Sequence, residues 1–304
     1  MSAYKASNNQ EGSLPRGGQQ EGRRSGVSSS GGTDTGSTTG RPTRGRGGKP
    51  VRQPRNTGGK NIVGQFASVK MHRSVPFESL IERDLLYLAD FAEDVVAIEA
   101  QPFVIEYTDE AGRPRRYTPD FLLGYADRDM VVECKPATQV GKAANLAKWE
   151  YARRWCAECD WQFVVVTDEQ LRRGYRLENV KLLTQFARHP VLPQVRQCVH
   201  SALSRHAPDE PPLTMGELAE AVAPSEPASA FHTLLTLAYL HKIDVSLDDA
   251  PLSSETFVWL PSHPPTAIPR PSLFPSLTSH EPFALADTST TLSAKRPSDI
   301  RPSL

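Results

Sequence analysis

The sequence has few cysteines and no long apolar run. Only 4 of its 304 residues are cysteine, which is too few for the disulfide framework of a secreted protein, so we expect free thiols. No stretch approaches the ~20 apolar residues of a membrane helix, and the polar start MSAYKASNNQ lacks the apolar segment of a signal peptide. We therefore expect a soluble, cytoplasmic protein of one or two domains with no membrane partner.

Glycine is scarce outside the first 60 residues, which hold 14 of the 20 glycines. Such a segment buries too little apolar surface to offset the entropy of ordering it, and we predict a disordered, basic tail over residues 1–65. Arg41, Arg44 and Arg46 either contact phosphates or belong to a solvated linker. Residues 261–304 contain nine prolines among serines and threonines, which predicts a second disordered tail.

The balance of 35 basic and 35 acidic residues hides an uneven distribution of charge. Residues 1–60 hold 11 Lys and Arg against 3 Asp and Glu, whereas residues 61–260 hold 20 against 29, a net charge of −9. The body of the protein is thus acidic and its tail is basic. An acidic body of this kind binds polyanions such as DNA weakly when it acts without a partner.

Between the tails, the hydrophobic pattern predicts an α/β domain over residues 66–188. Apolar residues recur at helical spacing from Pro76, which suits a first helical turn, to Phe91. The remaining predicted elements are strands over 94–107, 115–125, 130–135 and 161–167, the last of them buried, and helices over 142–159 and from Asn179 onward. The first three strands would be antiparallel, which gives a mixed sheet flanked by helices.

Residues 189–260 are predicted to form a small winged-helix-like domain. Two helices, over 213–222 and 229–243, precede short strands at 243–245 and 257–259. Residues 200–260 hold only two Lys and Arg against nine Asp and Glu. Because DNA affinity depends largely on neutralising phosphates, we expect this domain to bind protein rather than DNA.

The segments TPDF (118–121) and VECK (132–135) carry the chemistry. If residues 125–128 form a four-residue turn, Gly124 pairs with Asp129 and the same register places Asp120 opposite Glu133. Opposed carboxylates repel each other, and a hard divalent cation such as Mg²⁺ neutralises them with oxygen ligands. Lys135 lies on the same strand face as Glu133, where its ammonium can orient an attacking water or stabilise a phosphoryl oxygen.

A further carboxylate comes from the first predicted helix, in SLIERDLL (79–86). Glu82 lies at the border of the apolar stripe and can join the metal shell, although an ordinary solvated helix residue would have the same spacing. Glu78 and Asp84 offer the same chemistry nearby.

These residues resemble a known family. Pro119-Asp120 with Glu133-Cys134-Lys135 is similar to the P-D…E-x-K motif of metal-dependent nucleases. The pieces SLIE (79–82), EAQPF (99–103), YTPDF (117–121), VECKP (132–136) and FVVVT (163–167) follow the order found in TnsA-type endonuclease subunits of heteromeric transposases. The resemblance covers roughly residues 75–185 and implies a restriction-endonuclease-like fold.

The resemblance also implies an activity and partners. Glu82, Asp120, Glu133 and Lys135 would be catalytic, and the main-chain carbonyl of Cys134 would be a further metal ligand. The reaction would be Mg²⁺-dependent hydrolysis, with Mn²⁺ as a substitute, of one DNA strand at each 5′ end of a transposon, by a protein that is nucleoid-associated when active. A transposase subunit would cut and join the 3′ ends, and residues 189–260 would contact an ATPase regulator.

Other interpretations remain open at this stage. The four residues can form a buried ion network on an inactive, adaptor-like scaffold, or serve a stand-alone restriction or repair nuclease. Gln101 can face the active site or satisfy a strand end before Pro102. Zinc ligands and backbone-binding cations are further possibilities; the residues concerned are Cys156, Cys159, Cys198 and His200 for zinc, and Lys148, Arg153 and Arg154 for DNA.

Overall fold

The computed structural model describes residues 62–206 and 210–264, which all lie in one compact unit. The strands are β1 (Gly64–Ser68), β2 (Arg73–Phe77), β3 (Val95–Ala100), β4 (Ile105–Thr108), β5 (Pro114–Tyr117), β6 (Phe121–Tyr125), β7 (Asp129–Lys135), β8 (Gln162–Thr167), β9 (Asp244–Val245) and β10 (Val258–Trp259). The helices are α1 (Leu80–Phe91), α2 (Ala137–Val140), α3 (Ala143–Glu158), α4 (Asp168–Leu171), α5 (Arg176–Phe186), α6 (Pro193–Arg205), α7 (Met215–Val222) and α8 (Pro227–Tyr239).

The first two strands form a hairpin that the hydrophobic pattern did not predict. Strands β1 and β2 are antiparallel, and Pro76 pairs with Gln65. The prediction that Pro76 opens a helix is therefore wrong. A proline is tolerated here because β2 is one strand of a two-stranded sheet and need not donate on both sides. Helix α1 begins four residues later, where Ser79 caps it by accepting a hydrogen bond from the Glu82 N–H.

A four-stranded mixed sheet in the order β3-β6-β7-β8 forms the centre of the protein. Strand β6 is antiparallel to both β3 and β7, and β8 is parallel to β7. Gly124 pairs with Asp129 and Phe121 with Val132, which confirms the predicted hairpin and its register. The predicted mixed α/β architecture is confirmed as well, although β8 is an edge strand in which only Val166 is fully buried.

Two of the long predicted strands are each broken in two. Gln101, with a positive φ of 45°, and Pro102 end β3 before β4 begins, because a left-handed residue followed by proline cannot continue a ladder. The segment Thr118–Asp120 likewise separates β5 from β6. Strands β4 and β5 then pair with each other as a separate two-stranded sheet. Both breaks lie beside the predicted active-site aspartate.

Each face of the central sheet is covered by a different helix, because side chains alternate along a strand. On one face, Leu85 of α1 packs in a core that includes Leu123 and Val132. On the other face, Trp149 of α3 packs with Leu122 and Val131. Glu133 has the parity of Val131 and therefore belongs to the face covered by α3.

The C-terminal helices pack against the same apolar core as α1. Buried residues of α6, α7, α8 and the β9–β10 pair join that core, and Tyr239 of α8 donates a hydrogen bond to Asp90 of α1 at 3.0 Å. No helix within the described residues is long and apolar enough to cross a membrane. Strand β1 begins inside the segment predicted as the first tail, and most of both predicted tails lies outside the described residues.

Candidate active site

The site is built where strands β6 and β7 meet the segment that precedes β6. The β6–β7 ladder ends with the pair Phe121 and Val132, so Asp120 and Glu133 are the next residues on each side. Instead of continuing the ladder, Asp120 accepts a hydrogen bond from the Cys134 N–H through Oδ2 at 2.7 Å. Its main-chain carbonyl accepts the Gln101 N–H at 2.8 Å. The aspartate is therefore fixed by two strands, and the Gln101 kink helps to hold it.

Glu133 is buried, with 3 % of its surface exposed, and both of its carboxylate oxygens have partners. Oε2 accepts a hydrogen bond from the Tyr117 hydroxyl at 2.7 Å. Oε1 accepts one from Lys148 Nζ at 2.8 Å, and Lys135 Nζ lies 3.5 Å from the same oxygen. The predicted proximity of Lys135 and Glu133 is thus present in the structure, as alternation along β7 requires.

Glu82 lies in the first turn of α1, where its carboxylate turns back toward the start of the helix. Its two oxygens accept hydrogen bonds from the Glu78 N–H at 2.7 Å and the Ser79 hydroxyl at 2.9 Å. The Glu82 carboxylate thus satisfies two donors just before the helix, while the Ser79 hydroxyl accepts the Glu82 N–H as the N-cap. Glu82 is 8 % exposed, so it is not the solvated helix residue that its spacing also allowed.

The three carboxylates are close enough to affect one another electrostatically. Burial raises the pKa of Asp120 well above its usual range, and the charges of Glu133 and Glu82 raise it further against the opposing effects of the Cys134 N–H and Lys135. Burial also raises the pKa of Glu82, and the charge of Glu133 adds to that effect. Glu82, Asp120 and Glu133 therefore share one electrostatic environment in which added positive charge is favourable.

The donor set suits a hard divalent cation. Three carboxylates beside one lysine provide the oxygen ligands that Mg²⁺ prefers, and their mutual repulsion, visible in the raised pKa of Asp120, would be relieved by a cation. The oxygens of Glu82 and Glu133 are, however, already bonded to protein groups. Within residues 62–206 and 210–264, no three His, Cys, Asp or Glu side chains are arranged as a ready metal cage.

Two residues of the site were not predicted as active-site residues from the sequence. Tyr117 begins the motif YTPDF, and only its position three residues before Asp120 signals a role. Lys148 appeared to be one cation among several on the surface of the second helix. The structure separates it from Arg153 and Arg154, which form exposed ion pairs with Glu150.

Several alternative site residues have other contacts. Asp84 is buried in ion pairs with Arg172 and Lys181, at 2.9 and 3.1 Å, and so joins α1 to the elements after β8. All four cysteines are free. Cys156 is buried in the core beneath α3 whereas Cys198 is exposed on α6, which gives no support to a shared zinc site.

Comparison with known proteins agrees with the geometry of the site. Residues 92–168 match the family model described as TnsA-like endonuclease N terminal. Comparison with curated proteins yields no match. The matched segment includes Asp120, Glu133 and Lys135, together with Tyr117 and Lys148, whereas Glu82 lies before it. Residues 92–168 are therefore similar to the N-terminal domain of TnsA-like endonucleases, which confirms the resemblance of the sequence motifs and suggests a nuclease of the kind found in transposases.

Proposed function

We propose that the protein is the Mg²⁺-dependent endonuclease subunit of a heteromeric transposase, hydrolysing one DNA strand at each 5′ end of a transposon. The observation that carries the proposal is the shared environment of Glu82, Asp120 and Glu133 beside Lys135, in and next to the matched segment. Mn²⁺ is expected to replace Mg²⁺, because both take oxygen ligands.

In this proposal each residue of the site has a defined role. Asp120 and Glu133 would hold the cation, together with Glu82 and the main-chain carbonyl of Cys134. When bound, a divalent cation supplies Lewis-acid polarisation of the scissile phosphate and lowers the pKa of a bound water. The Cys134 N–H and the Tyr117 hydroxyl keep Asp120 and Glu133 in place, since catalysis depends on such preorganisation.

Lys135 faces the reacting phosphate in the proposed reaction. A water oxygen forms a bond to phosphorus, the bond from phosphorus to the 3′ oxygen breaks, and that oxygen takes up a proton, leaving a 3′-hydroxyl and a 5′-phosphate. The Lys135 ammonium, 26 % exposed, is positioned to orient the water and stabilise charge on the phosphoryl oxygens.

The distribution of charge favours a protein partner over DNA for the C-terminal segment. Residues 189–260 are proposed as a winged-helix-like domain that binds protein, because three helices and a short strand pair present few cations to DNA. The resemblance to TnsA-type subunits implies that this partner is an ATPase regulator. A separate transposase subunit would cut and join the 3′ ends.

The proposal is tested on a plasmid carrying the transposon, with the proposed transposase subunit and ATPase regulator supplied in purified form. Wild-type protein with Mg²⁺ should cut the 5′ strands, and Asp120→Asn should reduce that cutting at least about 100-fold while the 3′ cuts by the partner persist. Asp127→Asn, at an exposed turn position, is the matched control and should cut normally. Undiminished 5′ cutting by Asp120→Asn would refute the proposal.

A non-catalytic adaptor is the second candidate function. The observation that favours it is that both oxygens of Glu82 and of Glu133 are satisfied by protein groups. If the protein is an adaptor, deleting it should abolish transposition, whereas the Asp120→Asn variant should support transposition at the normal level. A stand-alone nuclease predicts instead that the purified protein cuts DNA without the transposase subunit.

A further inference from the structure

Glu133 is paired with a cation that lies outside its own strand and outside the E-x-K motif. Lys148, on helix α3, places Nζ 2.8 Å from Glu133 Oε1, whereas Lys135 Nζ is 3.5 Å from that oxygen. The closer of the two ammonium groups is therefore the one supplied by α3. A metal ion bound by Glu133 would also contact this oxygen. The Lys148 ammonium therefore lies close to the position that the metal ion would occupy.

The contact is not an ordinary surface ion pair. The side chain of Glu133 is 4 % exposed and that of Lys148 is 23 % exposed, so the pair is screened by little water. The Lys148 ammonium also lies 4.9 Å from the ring centre of Tyr117 and 5.6 Å from that of Trp149, in the range of cation–π attraction. Because Tyr117 holds the other oxygen of Glu133, the lysine and the tyrosine form one clamp around the carboxylate.

Without a bound metal ion, the clamp reduces the excess of negative charge in the candidate site. Glu82, Asp120 and Glu133, if all ionised, place three negative charges in one partly buried region, and Lys135 alone would leave two of them uncompensated. Lys148 reduces this excess to a single negative charge. The same ammonium repels an arriving divalent cation, because the two would lie within a few ångströms of Glu133 Oε1.

We propose that Lys148 is a built-in counter-cation of the active site: it neutralises Glu133 in the metal-free protein, competes with the divalent metal for that carboxylate, and so lowers the metal affinity of the enzyme. The inference rests on the metal site of the proposed function and adds a regulating residue to it.

The test is isothermal titration of the full-length protein with Mn²⁺ alone, which measures binding without relying on cleavage. Lys148→Met should bind Mn²⁺ about 10- to 30-fold more tightly than the wild type, because a unit charge about 4 Å from a divalent cation weakens binding by roughly that factor even at the dielectric constant of water. Lys148→Arg keeps the charge and should stay within about twofold of the wild type. Lys142→Met, which removes a positive charge just before α3, is the control for long-range effects and should also stay within twofold.

A second variant keeps the inference testable if Lys148→Met does not fold. Lys148→Gln can still donate a hydrogen bond to Glu133 without a charge, and it should show the same tightening. Affinity equal to or weaker than that of the wild type in a folded Lys148→Gln protein overturns the inference.

Asp120→Asn in the same titration separates this inference from the proposed function. One outcome is that the wild type binds Mn²⁺, Asp120→Asn does not, and Lys148→Gln binds it no more tightly than the wild type. In that case the metal site is supported and only the proposed role of Lys148 is refuted. If wild type and both Lys148 variants bind no Mn²⁺, the metal site and this inference fail together.

Discussion

At the scale of single residues, the candidate site holds ionisable carboxylates that are buried and close together, which is electrostatically unfavourable without a bound cation. Asp120 is the clearest case, since burial and the neighbouring charges of Glu133 and Glu82 all raise its pKa. The only hydrogen bond to its carboxylate among the described residues comes from the Cys134 N–H. Such a residue is explained by function rather than by stability, because a neutral side chain of the same shape would fit the site at lower cost.

The unfavourable burial of the Asp120 carboxylate predicts how Asp120→Asn changes the stability of the protein. The asparagine side chain still has an amide oxygen that can accept the hydrogen bond from the Cys134 N–H. A carboxyl group with a raised folded-state pKa contributes stability below the unfolded-state value, about 3.9, and that stability is lost as the pH rises through the folded-state pKa. At pH 7 with a chelator, Asp120→Asn should therefore melt about 2–4 °C above the wild type, or roughly 1 kcal/mol for a body of this size. The difference should shrink as the pH falls toward 4.

Differential scanning calorimetry at several pH values measures this effect. Asp127→Asn, which changes an exposed aspartate, should leave the melting temperature within about 1 °C of the wild type, since surface changes cost little. A lower melting temperature for Asp120→Asn at pH 7, or a difference that does not depend on pH, would contradict the electrostatic argument.

At the scale of elements, helix α1 connects the candidate active site to the rest of the body. Its first turn carries Glu82, and its last turn carries the buried Asp90. Asp90 accepts hydrogen bonds from the hydroxyl groups of Ser68 and Tyr239 and from the N–H groups of Val69 and Lys70. One carboxylate thus holds together the β1–β2 turn, α1 and α8.

Asp90→Ala should destabilise the protein by about 3 kcal/mol or more, because it leaves several buried donors without an acceptor. Urea denaturation should show a lower midpoint with an unchanged slope. Glu93→Ala, which removes an exposed acid at the same end of α1, should change the free energy of unfolding by less than about 0.5 kcal/mol. Equal effects of the two substitutions would show that the buried network does not stabilise the protein.

At the scale of the whole molecule, the described body has an acidic composition and a large apolar core that joins its first strands to its last. This core includes Phe66 at one end of the described chain and Leu260 at the other, and it is separate from the smaller core beneath α3. Helix α5 adds polar contacts to the C-terminal segment: Arg176 donates two hydrogen bonds of 2.7 Å to Asp248, and the Asn179 amide donates to the carbonyls of Leu247 and Ala250. The C-terminal helices are therefore part of the fold that supports α1, and the boundary at residue 189 stays a prediction.

The charge distribution predicts how the whole chain binds DNA. Residues 61–260 carry a net charge of −9 and residues 1–60 a net charge of +8, so the tail should supply most of the duplex affinity of the protein alone. Deleting residues 1–60 should weaken binding to a fluorescent duplex at least tenfold at 0.15 M salt, measured by anisotropy. Deletion of residues 265–304, which hold nearly equal numbers of basic and acidic residues, should change it less than about twofold. Equally tight binding without residues 1–60 would place the duplex site on the acidic body.

The sequence by itself determined the local geometry of the site. The alternation of β7 and the short turn after β6 predicted the pairing of Gly124 with Asp129 and the shared face of Glu133 and Lys135, because a pleated hairpin leaves few alternatives once its turn length is known. Asp120 lies just outside this ladder, where the Cys134 N–H holds it. The same motifs were sufficient to indicate the family. Sequence patterns placed helices α1, α3, α5, α7 and α8 to within a few residues. They gave no bounds for α6, and they missed the β1–β2 hairpin because Pro76 was interpreted as the start of a helix.

Only the tertiary structure decided which distant side chains complete the site. Lys148 reaches Glu133 because α3 packs on the face of the sheet that Glu133 shares with Val131, and no spacing along the chain encodes that packing. Glu82 is turned toward its own helix cap, and Asp90 meets Tyr239 from a helix nearly 150 residues away in the sequence. Pleats and short turns are set by neighbouring residues, whereas helix packing is set by the shape of the whole core. The partners of the carboxylates in the candidate site depend on helix packing.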